Sequence, residues 1–420
     1  MITYAQALER LSAHARPLPG ETCTLDVACG RVLARELTSP MNLPSFDHAA
    51  MDGYALGADD SLAAGSEHEV GGSQAAGDVA LGAKRVAWEI MTGAQLPDGL
   101  DTVVPVECTQ LLSQASDGMP ARIRLQETIT RGANVRRAGS DVEEGARVLA
   151  AGTRLDPSRI MLLSALGMAR ADVVRMPRVA IVCTGKELQP DLDRPLAAGQ
   201  IYNSNGPYLR AAIAAMGAQL VSCDTVDDTA DTYAQAVQRA RDAGADLIVS
   251  TGAVSMGRYD FVPDTLRRLG AEVLFHKVAM RPGKPLLAAR LGGGPLVLAL
   301  PGTPMAVAVG FRFFVVPVLR AMLGLGSEPT LRAYLDTPQQ PKAGLRHFLR
   351  ATLAQDAGGR LCAAVAGLQQ PFRIQPFADA GAWVVLAEDA GDCPAGTQVE
   401  IASVHPDSAL AITPHHGASA

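Results

Sequence analysis

Residues 246–260 read Asp-Leu-Ile-Val-Ser-Thr-Gly-Ala-Val-Ser-Met-Gly-Arg-Tyr-Asp. The apolar run over 246–249 has the length and residue type of a buried strand, and it leads into Ser250, Thr251 and Gly252, then Ser255 and Gly257. A strand that ends in small hydroxyl residues and glycine leaves backbone N–H groups free and lets a ligand come close, which suits an anion such as phosphate. Asp260 closes the stretch, and a carboxylate beside an anion site is balanced when a metal lies between them. The other reading is a strand, a turn and an aspartate capping a helix over 261–269. This stretch alone leaves both open.

Two further runs have the same form. Val179-Ala-Ile-Val-Cys183 ends in Thr184-Gly185-Lys186-Glu187, and Pro295-Leu-Val-Leu-Ala-Leu300 ends in Pro301-Gly302-Thr303-Pro304. Three strands that each finish in a small-residue turn imply one parallel sheet with the turns on its carboxyl edge, where open α/β sheets bind ligands. The text between them alternates: a helix over 207–216 stopped by Gly217, a strand over 220–226, a helix led by Asp227-Asp228 and stopped by Gly244, a helix over 260–269 and a strand over 273–278. That alternation predicts a doubly wound α/β domain over 176–326.

The rest of the 420-residue chain is too long to share that core. Thr3 and Gln6 form a capping box opening a helix to about residue 15, and a second helix is expected over 31–37. Pro40 and Pro44 then force an extended segment. Residues 45–140 are rich in glycine and short alternating runs, such as Arg122-Ile-Arg-Leu125, and predict a small β-rich domain. A further helix is expected over 158–166, stopped by Gly167. Residues 327–420 return to short strands with glycine turns and predict a third compact module, all-β.

Hydrophobic content of 48% and charged content of 19% place the chain among globular proteins. A formal net charge of -6 argues against a broad nucleic-acid surface. The 7 cysteines are odd in number and include no C-x-x-C pair, so they read as reduced thiols in a cytoplasm. No membrane span is expected, since the most apolar stretch, near 306–325, carries Arg312 and Arg320.

Glu187, Asp227 and Asp260 fall at strand ends or helix starts of one sheet. Hard oxygen ligands beside anion-cradling turns fit magnesium bridging to a phosphate or another oxyanion, although Asp227 and Asp260 each read singly as helix caps. Lys277, Arg281 and Lys284 lie in the proline-stiffened His276-Lys-Val-Ala-Met-Arg-Pro-Gly-Lys-Pro285, which holds its cations in fixed directions. Arg136 and Arg137 read either as an ordinary surface pair, the commoner case, or as an anion grip. From this chemistry alone, a generic magnesium-dependent nucleotidyl transferase is one reading.

Met51-Asp-Gly-Tyr-Ala55, Ile90-Met-Thr-Gly-Ala94, Val135-Arg-Arg137, Thr184-Gly185 with Glu187-Leu188, Gly199-Gln-Ile-Tyr202, Val254-Ser-Met-Gly257 with Asp260, Arg281-Pro-Gly-Lys-Pro285 and Leu300-Pro-Gly302 with Pro304 occur in that order. Together they resemble the molybdopterin molybdenumtransferase family, to which the C-terminal part of gephyrin belongs. The resemblance covers nearly the whole chain. It implies four domains: an elongated, discontinuous, helix-bearing one over 1–44 and 141–175, a β-rich one inserted in it over 45–140, the α/β domain over 176–326 and a β-barrel-like one over 327–420. It implies a homodimer whose cleft lies between the α/β domain of one subunit and the β-rich domain of the other. It also implies that molybdate displaces the adenylate of adenylylated molybdopterin, with magnesium assisting and AMP leaving. By motif, Glu187, Asp227 and Asp260 face metal and molybdate, Asp52 and Thr92 come from the partner subunit, and Pro301 and Pro304 shape the wall. Arg137, Thr184, Gly185, Ser250, Gly252, Ser255, Gly257, Lys277, Arg281, Lys284 and Gly302 are the expected substrate contacts. Contacts with the molybdopterin adenylyltransferase and with molybdenum-enzyme acceptors follow by the same resemblance. The chain departs from the family's pattern at Lys186 (usually an acid), Ala253 (glycine), Arg281 (lysine) and Thr303 (asparagine). It departs most at Gln369-Gln-Pro-Phe372, where a glycine- and serine-bearing turn is usual. A non-catalytic paralogue, binding the pterin as a carrier or scaffold, is the alternative these departures leave open.

Overall fold

In a computed structural model the chain is described except at residues 80–81, 83–85, 255–260, 407–409, 411 and 414–420. The central sheet has six strands: β1 (Arg178–Thr184), β2 (Gln219–Val226), β3 (Leu247–Thr251), β4 (Ala271–His276), β5 (Leu287–Leu291) and β6 (Leu296–Leu300). Their spatial order is β2-β1-β3-β6-β5-β4. β1 pairs in parallel with both β2 and β3, and β3 with β6. β5 is antiparallel to β6 and β4 antiparallel to β5, so β4 again points the same way as β6. The sheet is therefore mixed, but the three glycine turns and the end of β4 share one edge.

Both faces are covered, which is why these strands are nearly continuous apolar runs. Val179, Ile181 and Cys183 enter one buried cluster, and Ala180 and Val182 enter the cluster on the other face. The connecting helices are α1 (Asn205–Ala215), α2 (Ala230–Asp242), α3 (Val262–Arg268) and α4 (Pro304–Gly310). α4 continues through a π-helical turn, Phe311–Val315, into a helix over Val316–Met322. The stretch Pro304–Met322 is long and apolar enough to cross a membrane, but 83% of it is buried inside the protein, as in a core helix.

Several expectations need correcting. Residues 31–37 are not helical. Val32 bridges Arg154 and Leu33 bridges Val173, and both side chains are buried, so tertiary pairing decides the local conformation. The cap of α2 is Thr229, whose hydroxyl accepts from Thr232 N, and not Asp227. The residue before α3 is Phe261, without a side-chain cap. β4 lies two residues earlier than the apolar pattern suggested, because Lys277 turns the chain with a φ of 71°. The capping box at Thr3 and Gln6 is present, opening a helix over Tyr4–Ser12. Its Ala7 and Leu11 are built into the central core, together with Ala15 just beyond it.

The inserted region forms a six-stranded sheet in the order Thr102–Pro105, Gly53–Leu56, Ala87–Ile90, Glu67–Gln74, Pro120–Leu125 and Thr109–Gln114. Around it, Gly20–Thr24 pairs antiparallel with Arg170–Val174. The C-terminal barrel is centred on the long strand Arg346–Gln355, and it contains one short helix, Gln375–Ala378, that the all-β reading did not include. A short strand from the central region, Met280–Arg281, pairs in parallel with Arg346 and His347. The cationic loop is therefore stitched into the barrel.

At the opposite edge of the central sheet, Asp246 accepts from both terminal nitrogens of Arg175, at 2.8 and 2.7 Å, and from Arg178 N at 2.8 Å. This bidentate, partly buried pair ties the start of β1 to the start of β3. Asp246→Ala leaves a guanidinium and a backbone donor without their acceptor. The expected loss is about 2 kcal/mol of stability, read as a lowered thermal midpoint with turnover at 25 °C retained; an unchanged midpoint would refute the assignment.

Candidate active site

Three turns meet at the carboxyl edge. Thr184 Oγ1 donates to Thr251 O at 3.1 Å, inside the protein. Gly252 N donates to Leu300 O at 3.0 Å, and Gly185 N to Val226 O at 3.0 Å. The N–H groups of these two glycines are thus spent on the sheet rather than left for an anion, as the sequence had suggested. Their service is steric. Gly252 has a φ of 95°, and a methyl built there would overlap Thr184 Oγ1 and lie 2.7 Å from Thr184 O. A methyl on Gly302 would lie 3.5 Å from Gly252 Cα. The three turns therefore interlock backbone against backbone.

The sheet order explains the crevice. From β1 the chain passes through α1 to β2 on one side, and then through α2 to β3 on the other. The strand order reverses between β1 and β3, and that is the point at which open α/β sheets take ligands. Thr184, Gly185 and Gly252 all lie there.

The carboxylates stand on the β2 side. Glu187 is exposed, and its Oε1 would lie 2.7 Å from a methyl built on Gly185, so the side chain folds back over the turn. Asp227 is exposed; its main-chain O accepts from Thr229 N at 2.7 Å and Thr232 Oγ1 at 2.9 Å, which fixes its backbone. Lys186 N donates to Asp228 Oδ2 at 3.3 Å, bringing the two acidic segments together. Asp260, Ser255 and Gly257 lie outside the described residues. Among the described residues no group of three or more His, Cys, Asp or Glu is set to hold a metal.

Cations stand on the other side of the sheet. Lys277 directly follows β4 and is half-buried, while Arg281 and Lys284 are exposed. Pro301 and Pro304 flank Gly302 and are partly buried, with Pro304 opening α4. Ser250 is fully buried with its hydroxyl 3.1 Å from that of Tyr233, so it braces β3 from below.

Asp52, Thr92 and Arg137 make their bonds within the inserted region. Asp52 Oδ1 accepts from Thr92 N at 2.6 Å and Thr92 Oγ1 at 2.7 Å. The Thr92 backbone N–H, and then its hydroxyl, hold the Asp52 carboxyl below the usual range and keep it ionised. Arg137 Nη1 pairs with Asp47 Oδ2 at 2.5 Å. Met51 and Met91, next in the chain to Asp52 and Thr92, are exposed, as is Val106, whose N donates to Asp52 O at 3.1 Å.

Comparison with known proteins agrees along the whole chain. The model of the MoeA N-terminal region (domain I and II) matches residues 2–167, a probable molybdopterin binding domain 180–321, and the MoeA C-terminal region (domain IV) 332–404. A molybdopterin molybdenumtransferase of Synechococcus elongatus is 34% identical over 414 residues, covering 96% of this chain and 100% of its own. The chain belongs to the molybdopterin molybdenumtransferase (MoeA) family. One of Bacillus subtilis is 33% identical over 411 residues, 95% of this chain and 93% of its own. The crystal structure of a molybdopterin biosynthesis moeA protein from Pyrococcus horikosii superposes with a TM-score of 0.81 at 28% identity, covering 96% and 99% of the two chains. The activity of the family serves molybdenum cofactor biosynthesis.

Two residues that fix the turns of the crevice were not among the expected contacts. Asn205 Nδ2 donates to Gly302 O at 2.8 Å, fixing the third turn from the start of α1. Asn203 Oδ1 accepts from Gly206 N at 3.0 Å and its Nδ2 donates to Thr225 Oγ1 at 3.0 Å, so it ties α1 to β2. The signal was the Asn203-Ser-Asn205-Gly206 run directly after the Gly199-Gln-Ile-Tyr202 motif.

The interlock separates two otherwise similar substitutions. Gly252→Ala meets Thr184 backbone in a left-handed conformation and is expected to cost about 3 kcal/mol or more, with turnover lost. Gly302→Ala meets only ordinary contact and is expected to keep the wild-type thermal midpoint. Equal midpoints for the two variants would show that the turns do not interlock.

Proposed function

We propose that this chain inserts molybdate into adenylylated molybdopterin and releases AMP, with magnesium assisting, in a cleft that two copies of the chain build together. The observation that carries this reading is the switch-point crevice, with acids on its β2 side and cations beyond β4. Such a division suits an anionic substrate that brings its own phosphates. Glu187 and Asp227 are exposed carboxylates on one side of the crevice, which fits magnesium, an ion that commonly uses one or two carboxylates and completes its shell with water and phosphate oxygens. Asp260 joins them in this proposal. When bound, the ion supplies neutralisation of charge on the phosphate and molybdate oxygens.

The chain's own residues then act by position and charge. Lys277, Arg281 and Lys284 draw the anionic substrate toward the loop, and Arg137, held in place by Asp47, offers its remaining donors from the inserted domain. Thr184, Gly185, Gly252 and Gly302 give a backbone floor that admits the substrate closely, with Ser250 bracing it. Pro301 and Pro304 hold the wall rigid. Cleavage of a phosphate bond in such a place is mostly positioning and charge neutralisation, so no nucleophilic side chain is needed.

The domain division proposed from the sequence, 1–44 with 141–175, 45–140, 176–326 and 327–420, places Asp52 and Thr92 in a different domain from the three turns. The exposed Met51, Met91 and Val106 beside them form an apolar rim suited to cover by a second copy. A cytoplasmic homodimer, handing its product to molybdenum enzymes and receiving substrate from the molybdopterin adenylyltransferase, completes this reading.

Two measurements test it. Asp52→Ala and Glu187→Ala are each expected to abolish molybdate-dependent AMP release. In mixed dimers one site carries both lesions and the other none, so random mixing restores roughly a quarter of wild-type activity; mixed dimers proven by mass spectrometry that stay inactive would place both residues in one subunit's site or outside it. Separately, Lys186→Asp, beside Glu187, is expected to lower the magnesium concentration for half-maximal AMP release. An equal or higher requirement would detach Lys186 from the metal.

A further inference from the structure

The sequence's largest departure and one of its smaller ones meet in space. Gln369-Gln-Pro-Phe372 belongs to the barrel, and Thr303 opens α4 at the third turn of the crevice. Thr303 makes no side-chain cap to α4. Instead Met305 N, in the first turn, donates to Pro371 O at 3.0 Å. A barrel loop thus caps the helix that follows Pro301-Gly302, beside the crevice.

That loop is held by one side chain. Arg350, on the long barrel strand, is 1% exposed. Its Nη1 donates to Arg373 O at 2.5 Å, its Nη2 to Leu368 O at 2.5 Å, and its Nε to Gln369 Oε1 at 3.4 Å. Gln369 answers with Nε2 to Arg350 O at 3.0 Å and to Ala366 O at 2.8 Å. Among the described residues no carboxylate pairs with Arg350. A buried guanidinium bonded only to neutral oxygens is costly, and its donors converge on both arms of the loop. The tip between those arms carries Phe372, 64% exposed, with the Arg373 guanidinium 5.9 Å from its ring.

We propose that residues 368–373 form a fixed wall of the substrate crevice, that Arg350 is the positioning residue holding it there, and that the Phe372 ring packs on a planar heteroaromatic part of the substrate. This rests on the reaction proposed above. An exposed aromatic ring with a cation beside it matches a flat, neutral ring system that carries phosphate, and both the pterin and the adenylate ends of the substrate have that chemistry.

The test combines steady-state AMP release with limited trypsin digestion of the full-length protein. Phe372→Ala is expected to raise KM for adenylylated molybdopterin roughly tenfold, with KM for molybdate, kcat and thermal midpoint unchanged. Inhibition by AMP tells the two ends apart: a matching loss of AMP affinity assigns the ring to the adenylate, and unchanged AMP affinity assigns it to the pterin. Arg350→Gln is expected to raise the same KM and to speed cleavage after Arg373 roughly tenfold, with other cleavage sites unaffected. KM values within twofold of wild type for both variants would overturn the wall, and an unchanged cleavage rate after Arg373 would overturn the role of Arg350. A wild-type protein that releases no AMP overturns the reaction itself, while the tryptic rates still decide whether Arg350 anchors the loop.

Discussion

The close approach of Gly252 to Thr184 is the constraint on which the crevice depends. Thr184 Oγ1 reaches Thr251 O across two parallel strands, and the next residue must be glycine because any side chain would enter Thr184. That contact closes the bottom of the switch point between β1 and β3. With the floor closed, the chain departing from β1 carries Glu187 toward β2, and Gly185 N locks onto Val226 O just before Asp227. The acids gather on one side because of where the backbone can go. The cations gather on the other because β4 runs in the same direction and is followed by Lys277, whose positive φ turns the chain out of the sheet.

The central sheet was legible because its strands are buried on both faces, and this writes continuous apolar runs bounded by glycine into the sequence. The capping box at Thr3 was legible because it is a local bond between residues three apart. What escaped reading depends on partners far along the chain. Residues 31–37 carry a helix-compatible pattern but are held extended by Arg154 and Val173. Nothing near Arg281 announces that it pairs with the barrel, and nothing near Asn205 announces that Gly302 O is its acceptor. The glycines read as places where a ligand comes close, and what lies against Gly252 in the structure is Thr184 of the neighbouring turn. Ser250 shows the same limit, since a serine at a strand end reads as a ligand contact until the Tyr233 hydroxyl is found beneath it.

Asp52 poses an electrostatic problem that its surroundings answer. An exposed carboxylate bonded to both the N–H and the hydroxyl of Thr92 is held in one orientation and kept ionised. Its ring of exposed apolar side chains would shed water on being covered, and a covered carboxylate next to other acids is tolerable only when positive charge lies between them. The same positive charge that suits Glu187 and Asp227 would suit Asp52. In the composite site proposed above, the fixed carboxylate and the apolar side chains beside it would serve together.

The barrel's attachment bears on how the crevice works. It is joined to the central region twice near the site, through the pairing of Met280–Arg281 with Arg346–His347 and through Met305 N on Pro371 O. The first join restrains the backbone of the cationic loop, and the second caps α4 where its own N-cap side chain does not. A loop with cations at its tip loses little entropy on binding only if its backbone is already fixed, and here the barrel does the fixing. Pre-organised charges cost no rearrangement as the phosphate bond breaks, which is the condition under which charge neutralisation alone suffices for catalysis. In the proposed reaction the barrel would thus act in two ways, by removing motion from the cationic loop and by supplying the wall at 368–373.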